Sequence, residues 1–197
     1  MIIFRAVRWK NLLSTGNYFT EIKLDSNANT LVVGENGSGK STMLDALCFG
    51  LFGKAFRNVN KPQLINSING KDCVVEIELD CNNKSYKIIR GIKPNVFEIY
   101  QNGDLLNQDA AIRDYQEYLE KFILKMNYKS FTQIVILGSA SFVPFMQLSA
   151  SDRRNIIEDL LDIQIFSTMN SLVKDKLSTN KDATSTKKYD IDLTKQK

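Results

Sequence analysis

Residues 34–41 read Gly-Glu-Asn-Gly-Ser-Gly-Lys-Ser, a match to G-x-x-x-x-G-K-[ST], and no other stretch of this chain restricts its fold so tightly. Such a loop holds phosphate only where a strand delivers the backbone into it and a helix carries it away. The flanks agree with that requirement. Leu31-Val32-Val33 is a wholly apolar run, suited to a buried central strand. On the far side Met43, Leu44, Leu47, Leu51 and Phe52 recur at helical spacing over residues 41–52, with Gly50 and Gly53 near the end.

Each loop position has a physical task. Gly34, Gly37 and Gly39 allow a curl in which successive N–H groups, those of Glu35, Asn36 and Ser38 among them, face phosphate oxygens. The helix N-terminus adds partial positive charge. Lys40 places its ammonium on the β/γ-phosphates, the Ser41 hydroxyl becomes a Mg²⁺ ligand, and Thr42 approaches the α-phosphate. Asn36, at the tip, is either a γ-phosphate contact or a plain turn former. The expectation is a P-loop nucleotide-binding fold of the α/β class.

What is missing narrows the chemistry. Hydrolysis needs an apolar strand ending in a carboxylate to hold Mg²⁺ and orient water, and no run of four apolar residues here leads into Asp or Glu. The catalytic half is therefore absent or supplied from elsewhere. With no histidine and three cysteines, a four-ligand zinc site and histidine-based catalysis are excluded. The cysteines read as reduced, packed thiols. At 43% apolar and 24% charged the composition is that of a globular protein. No run reaches the roughly 18 to 20 apolar residues of a membrane span, and Arg5 interrupts the N-terminus before any secretory signal, so a cytoplasmic site is expected.

The rest of the chain supplies mostly strands. Residues 2–9 and 19–24 read as two. Val75, Ile77 and Leu79 alternate with Glu76, Glu78 and Asp80, and residues 86–90 and 96–100 continue the pattern as an antiparallel meander. Asn102-Gly103 signals a two-residue hairpin. Ile112, Tyr115, Leu119, Phe122 and Ile123 mark an amphipathic helix, and residues 131–137 look like a further strand. Ser149 or Ser151 caps a helix carrying Ile156, Ile157, Leu160 and Leu161. From residue 178 the chain is polar and cannot fold alone: it is frayed, or the first turns of a coiled coil lacking its partner.

The net charge is +4, and residues 54–93 carry 8 basic against 4 acidic side chains. That excess fits an acidic polymer or an ordinary solvated surface. Lys54, Arg57, Lys61 and Lys71, in a loop-like section, are the candidate contacts to DNA phosphates; Lys84, Lys87 and Arg90 read as decoration of a sheet.

The succession of Lys10-Asn11, a strand, GENGSGKST, Leu64-Ile65-Asn66 and Tyr86-Lys87-Ile88-Ile89-Arg90 resembles the N-terminal lobe of the SbcC-type DNA-repair ATPases, relatives of the SMC and ABC ATPases, and their bacteriophage members above all. Residues 137–146, Asp152-Arg153-Arg154 and the Ile/Leu-rich helix match that family's lid and the helix entering its coiled coil. The resemblance implies an ABC-type ATP-binding lobe over residues 1–160, with a lid at 131–148. Residues 161–197 would be a helix and the start of a coiled coil. It further implies ATP with Mg²⁺ bound between two heads of a homodimer, action on double-stranded DNA, and an SbcD-type nuclease subunit gripping residues 163–197. A signature motif, the acidic strand and a switch histidine would come from a second lobe. Two positions depart from the pattern. Ser139 stands where the family lid carries a metal-contacting Gln, and it reads as a lid contact or as a packing residue. Leu13 stands where a nucleotide-contacting Arg is common, leaving Arg8 and Lys10 as substitutes. A RecF-like or chromosome-organising relative without a nuclease is the alternative reading; a self-contained kinase or GTPase, or a structural DNA-binding module, fits the residues less well.

Overall fold

A computed structural model describes residues 2–106, 112–136, 143–161 and 163–195. Six strands form one antiparallel sheet in the order β2-β1-β3-β4-β5-β6. They are β1 (Ile2–Lys10), β2 (Thr20–Lys23), β3 (Cys73–Cys81), β4 (Lys84–Ile92), β5 (Val96–Gln101) and β6 (Asp104–Leu105). The period-2 pattern of β3 decides which face is covered. Cys73, Val75, Ile77, Leu79 and Cys81 are buried, whereas the residues between them are half-exposed. In register with them, Ile88 opposes Ile77, Tyr86 opposes Leu79 and Arg90 opposes Val75, so β4 adds a cation to the covered face.

Helix α1 (Thr42–Phe52) packs on that face, and Gly50 sets how close it comes. A Cβ at Gly50 would lie 2.4 Å from Ile77 Cδ1 and 3.1 Å from Val75 Cγ1. Two-residue turns join β3 to β4 and β5 to β6. Asn102 and Gly103 have φ of 53° and 95°, as the hairpin signal requires, and Asn82 and Asn83 make the β3–β4 turn with φ of 51° and 62°. Asn tolerates the left-handed region, so this second turn has a sequence signal that a search for Asn-Gly passes over. Beyond the sheet, α2 (Ile112–Tyr118) continues into a π-helical turn (Leu119–Leu124) that buries Leu119, Ile123 and Leu124. The three cysteines are buried free thiols, and burial pushes those of Cys48 and Cys73 up to about 12.

Two expectations fail. Leu31-Val32-Val33 is not a strand: its backbone is irregular and the side chains are 87%, 43% and 80% exposed. A central parallel strand needs neighbours on both sides, and none among the described residues pairs with it. The run expected as a strand at 131–137 is not one over its described residues, 131–136, and residue 137 lies outside them. Helix α3 (Tyr128–Ile134) occupies most of them, started by Asn127, whose side chain accepts the Ser130 N–H. A short apolar run carries no period, so its neighbouring cap decides.

Met1–Leu148 and Ser149–Lys197 are separate compact units, where the sequence reading draws the boundary after residue 160. In the second, Ser149 Oγ accepts the Asp152 N–H at 3.1 Å and starts α4 (Ala150–Leu160). The 32-residue α5 (Gln164–Lys195) extends about 48 Å at 1.5 Å per residue. Ile165, Phe166, Met169, Leu172, Val173 and Leu177 are exposed along it at i, i+3/i+4 spacing. Among the described residues no helix is long and apolar enough to cross a membrane.

Candidate nucleotide-binding site

The loop between residues 34 and 41 takes the curled form that its glycines permit. Gly37 and Gly39 adopt φ of 90° and 92°, a region closed to most side chains. Ser38 N–H donates to Glu35 C=O at 3.2 Å, and Thr42 N–H donates to Gly39 C=O at 2.9 Å, which turns the chain into α1. Lys40 folds back over the loop: its Nζ donates to the carbonyls of Gly34 and Glu35, each at 2.6 Å. The ammonium is thereby held over the loop, at the N-terminal end of α1. Ser41 occupies the helix N-cap, but its hydroxyl makes no capping bond, and the residue is exposed. Asn36 is exposed at the tip, and Thr42 is buried at the start of the helix. Exposed N–H groups, one ammonium and an uncommitted hydroxyl form a donor set suited to a triphosphate and its Mg²⁺.

Behind the loop, α1 is fixed by two charged contacts. The Asp45 carboxylate is fully buried and accepts two hydrogen bonds from Arg57, from the backbone N–H at 3.0 Å and Nε at 2.7 Å, with a guanidinium NH2 paired to it at 2.6 Å. At the C-terminal end Arg90 Nε donates to Gly50 C=O at 3.0 Å, and its NH2 group donates to Gln116 Oε1 at 2.6 Å. The Phe97 ring lies 3.7 Å from this guanidinium. Burial lowers the Arg90 pKa to about 9, with the Glu120 carboxylate opposing the shift. Arg90 is thus a core residue and not sheet decoration. Its position in the inward register, Tyr86-Ile88-Arg90-Ile92, was the available signal.

A second network locks residues 11–17 to residues 64–72. Asn11 and Asn66 are both buried. Asn66 Nδ2 donates to the Leu13 and Thr15 carbonyls at 3.0 Å, while its Oδ1 accepts from the N–H groups of Ile68 and Asn69. Asn69 Nδ2 donates to Asn11 Oδ1 at 2.7 Å. The sequence marks Asn66 only through the family likeness of Leu64-Ile65-Asn66.

The remaining candidates scatter. Arg8 is committed to the sheet, where Glu21, Glu78 and Glu76 stand 3.3, 3.2 and 3.6 Å from its guanidinium. Lys10 Nζ lies 5.3 Å from the Phe19 ring centroid. Lys54, Arg57 and Lys61 line one cavity of about 400 Å³ with Asn58, Asn60 and Tyr128, and none of the described residues lining it carries a carboxylate. Within it Lys54 sits over the Tyr128 ring, Lys61 donates to Asn95 Oδ1 at 3.1 Å, and Arg57 is committed to Asp45. Lys71 is exposed and does not line that cavity. Ser139 and the middle of the lid, residues 137–142, lie outside the described residues.

A family model described as AAA domain matches residues 6–197. Exonuclease subunit 2 of Enterobacteria phage T4 is 50% identical over 168 residues, covering 85% of this chain and 30% of that protein. Exonuclease subunit 2 of Escherichia phage RB69 is 47% identical over 171 residues, covering 87% and 30%. The SbcC subunit of the SbcCD nuclease of Staphylococcus aureus (strain JH9) is 27% identical over 187 residues, covering 87% and 18%. The chain thus spans about 30% of the length of its phage relatives. Among solved structures, the Smc head domain of Pyrococcus furiosus with an extended coiled coil, bound to the C-terminal domain of ScpA, superposes with a TM-score of 0.58 at 21% identity, over 91% of this chain and 46% of that one. A structure from work on ATP-driven dimerisation and DNA-stimulated activation of SMC ATPases gives 0.53 at 22% identity, over 80% and 98%. The fold is that of an SMC-type ATPase head lobe.

Proposed function

Because this chain belongs to the AAA domain family, we propose that it is the ATP-binding half of a DNA recombination and repair ATPase that works with an SbcD-type nuclease subunit on double-stranded DNA ends. The observation that carries this reading is the curled loop at residues 34–41 with Lys40 folded across it, in a chain so similar to phage exonuclease subunits. Loop N–H groups and the Lys40 ammonium hold the β- and γ-phosphates, the Ser41 hydroxyl takes Mg²⁺, and Thr42 faces the α-phosphate. Bound Mg²⁺ neutralises phosphate charge; the chain's own part is to hold and orient the nucleotide.

Two exposed apolar features favour a half-head over a complete enzyme. Leu31-Val32-Val33 leads into the loop with no strand neighbours among the described residues, as expected if a second lobe brings the flanking strands along with the acidic residue and signature motif. The apolar stripe of α5 is the seam of a coiled coil whose other strand lies elsewhere. Two such heads would close on ATP as a homodimer and so control access of the nuclease to DNA, in the cytoplasm of the host cell. The alternative, a chromosome-organising head without a nuclease, rests on the SMC neighbours. Capture of a nuclease subunit by residues 163–197 separates the two readings: it supports the first, and its failure favours the second.

DNA contact is assigned to the basic cavity and to Lys71. Arg57 is the weakest of the four candidates, because Asp45 already neutralises it. Replacing Lys54, Lys61 and Lys71 together by Glu is expected to weaken duplex DNA binding at least about tenfold, and to flatten its log–log salt slope by about 2 to 3. Unchanged affinity and slope for the triple variant would remove this surface from the DNA path.

A further inference from the structure

The nucleotide loop sits at one end of α1, and a relay of polar groups built on the buried Arg90 sits at the other. Arg90, only 7% exposed, reaches from β4 to the last turn of the helix. Its Nε donates to Gly50 C=O at 3.0 Å, and its NH2 group donates to Gln116 Oε1 at 2.6 Å and approaches Leu51 C=O at 3.4 Å. Gln116, on α2, returns to the same helix end. Its Nε2 donates to Leu51 C=O at 3.0 Å and to Glu120 Oε1 at 2.6 Å, within the π-helical turn. Helix α1 has no basic residue of its own in its last turn, so Arg90 supplies the cation that its C-terminal carbonyls favour. Gly50 and Gly53 leave the space: the helix lies hard against Ile77 at the first, and a Cβ at the second would stand 3.1 Å from the Arg90 guanidinium.

We propose that Arg90 and Gln116 are positioning residues of the nucleotide site: they pin the C-terminal end of α1 to the sheet and to α2, and so fix where the phosphate loop stands at its other end. Lever arithmetic supports a real effect. Eleven residues make a rod of about 16 Å, and a tilt of about 5° at the pin displaces the loop by about 1.4 Å. A shift of that size exceeds the roughly 0.5 Å range of distances over which N–H···O hydrogen bonds form, so the loop donors no longer meet phosphate oxygens in good geometry. A rigid cationic pin thus couples two regions that share no ligand. The inference rests on the proposal that the loop binds ATP.

The test is ATP affinity by calorimetric titration in folded variants of this chain. Gln116→Leu removes both arms of the relay while keeping its bulk, and is expected to weaken ATP binding about tenfold. Arg90→Met is expected to lose as much or more, and Arg90→Lys, which keeps a charged donor, to recover most of it. The double variant Arg90→Met/Gln116→Leu is expected to lose less than the product of the single losses. Ile99→Val, in the core on β5, serves as a control that lowers stability and leaves affinity unchanged. If Arg90→Met does not fold, Gln116→Leu alone decides. Wild-type affinity in folded Gln116→Leu overturns the inference, as does an equal loss in Ile99→Val. A wild-type chain that binds no ATP is a different failure: it removes the nucleotide reading itself, and the inference with it.

Discussion

Replacing Lys40 with alanine is expected to weaken ATP binding by about two orders of magnitude while leaving the fold in place. Hydrogen bonds made by an ionised donor contribute about 1.5–3 kcal/mol each, and a lysine bridging two phosphates makes two of them. About 3 kcal/mol corresponds to about a hundredfold in affinity. The cost to stability is small by comparison. Among the described residues Nζ bonds to two carbonyls of its own exposed loop, and water can replace it there. Calorimetric titration of Mg–ATP, with thermal melts alongside, measures both quantities. A Lys40→Ala chain that binds as tightly as the wild type would remove the loop from nucleotide binding.

The second large effect concerns stability. Gly50→Val is expected to destabilise the chain by about 3 kcal/mol, lowering the melting temperature by about 6 to 12 °C. The reason is geometric. The first carbon added at Gly50 would lie 2.4 Å from Ile77 Cδ1 and 3.0 Å from Ile77 Cγ1, and Ile77 is fully buried in the middle of the sheet. Neither partner has anywhere to go without moving α1 or β3, and moving α1 carries the nucleotide loop with it. Shortening the obstacle tests this directly. Ile77→Val alone is expected to cost about 1 kcal/mol, but in the Gly50→Val background it should restore at least that amount. Additive losses in denaturant titrations would show that the close approach of helix and sheet is not the cause.

Much of this architecture is legible in the residues because each element carries a local signal. The alternation of β3 and β4, the Asn102-Gly103 turn, the helical spacing after Ser41 and the Ser149 cap each depend on near neighbours in sequence. The misreadings come from segments whose fate is decided at a distance. Leu31-Val32-Val33 is apolar enough for a central strand, yet a strand exists only where others pair with it. The apolar run at 131–137 has no period of its own, and Asn127 sets the preceding backbone for a helix. At the site, the glycines, Lys40 and Ser41 could be named from spacing, since the loop motif is local. Arg90, Gln116, Asp45 and Asn66 could not be named as supports, because their roles depend on partners 12 to 65 residues away, brought together only by the fold. Arg57 shows the same limit in reverse. It counts as a free cation in a charge sum, and it is an ion pair in the molecule.

As proposed, the lobe holds ATP and leaves its turnover to a second lobe. The direct measurement is phosphate release under saturating Mg–ATP, by residues 1–197 alone and by the same residues joined to the lobe that carries the signature motif and acidic strand. The expected result is stoichiometric ATP binding without turnover by residues 1–197, and Lys40-dependent hydrolysis once the second lobe is present. Sustained, Lys40-dependent phosphate release by residues 1–197 on their own would contradict it.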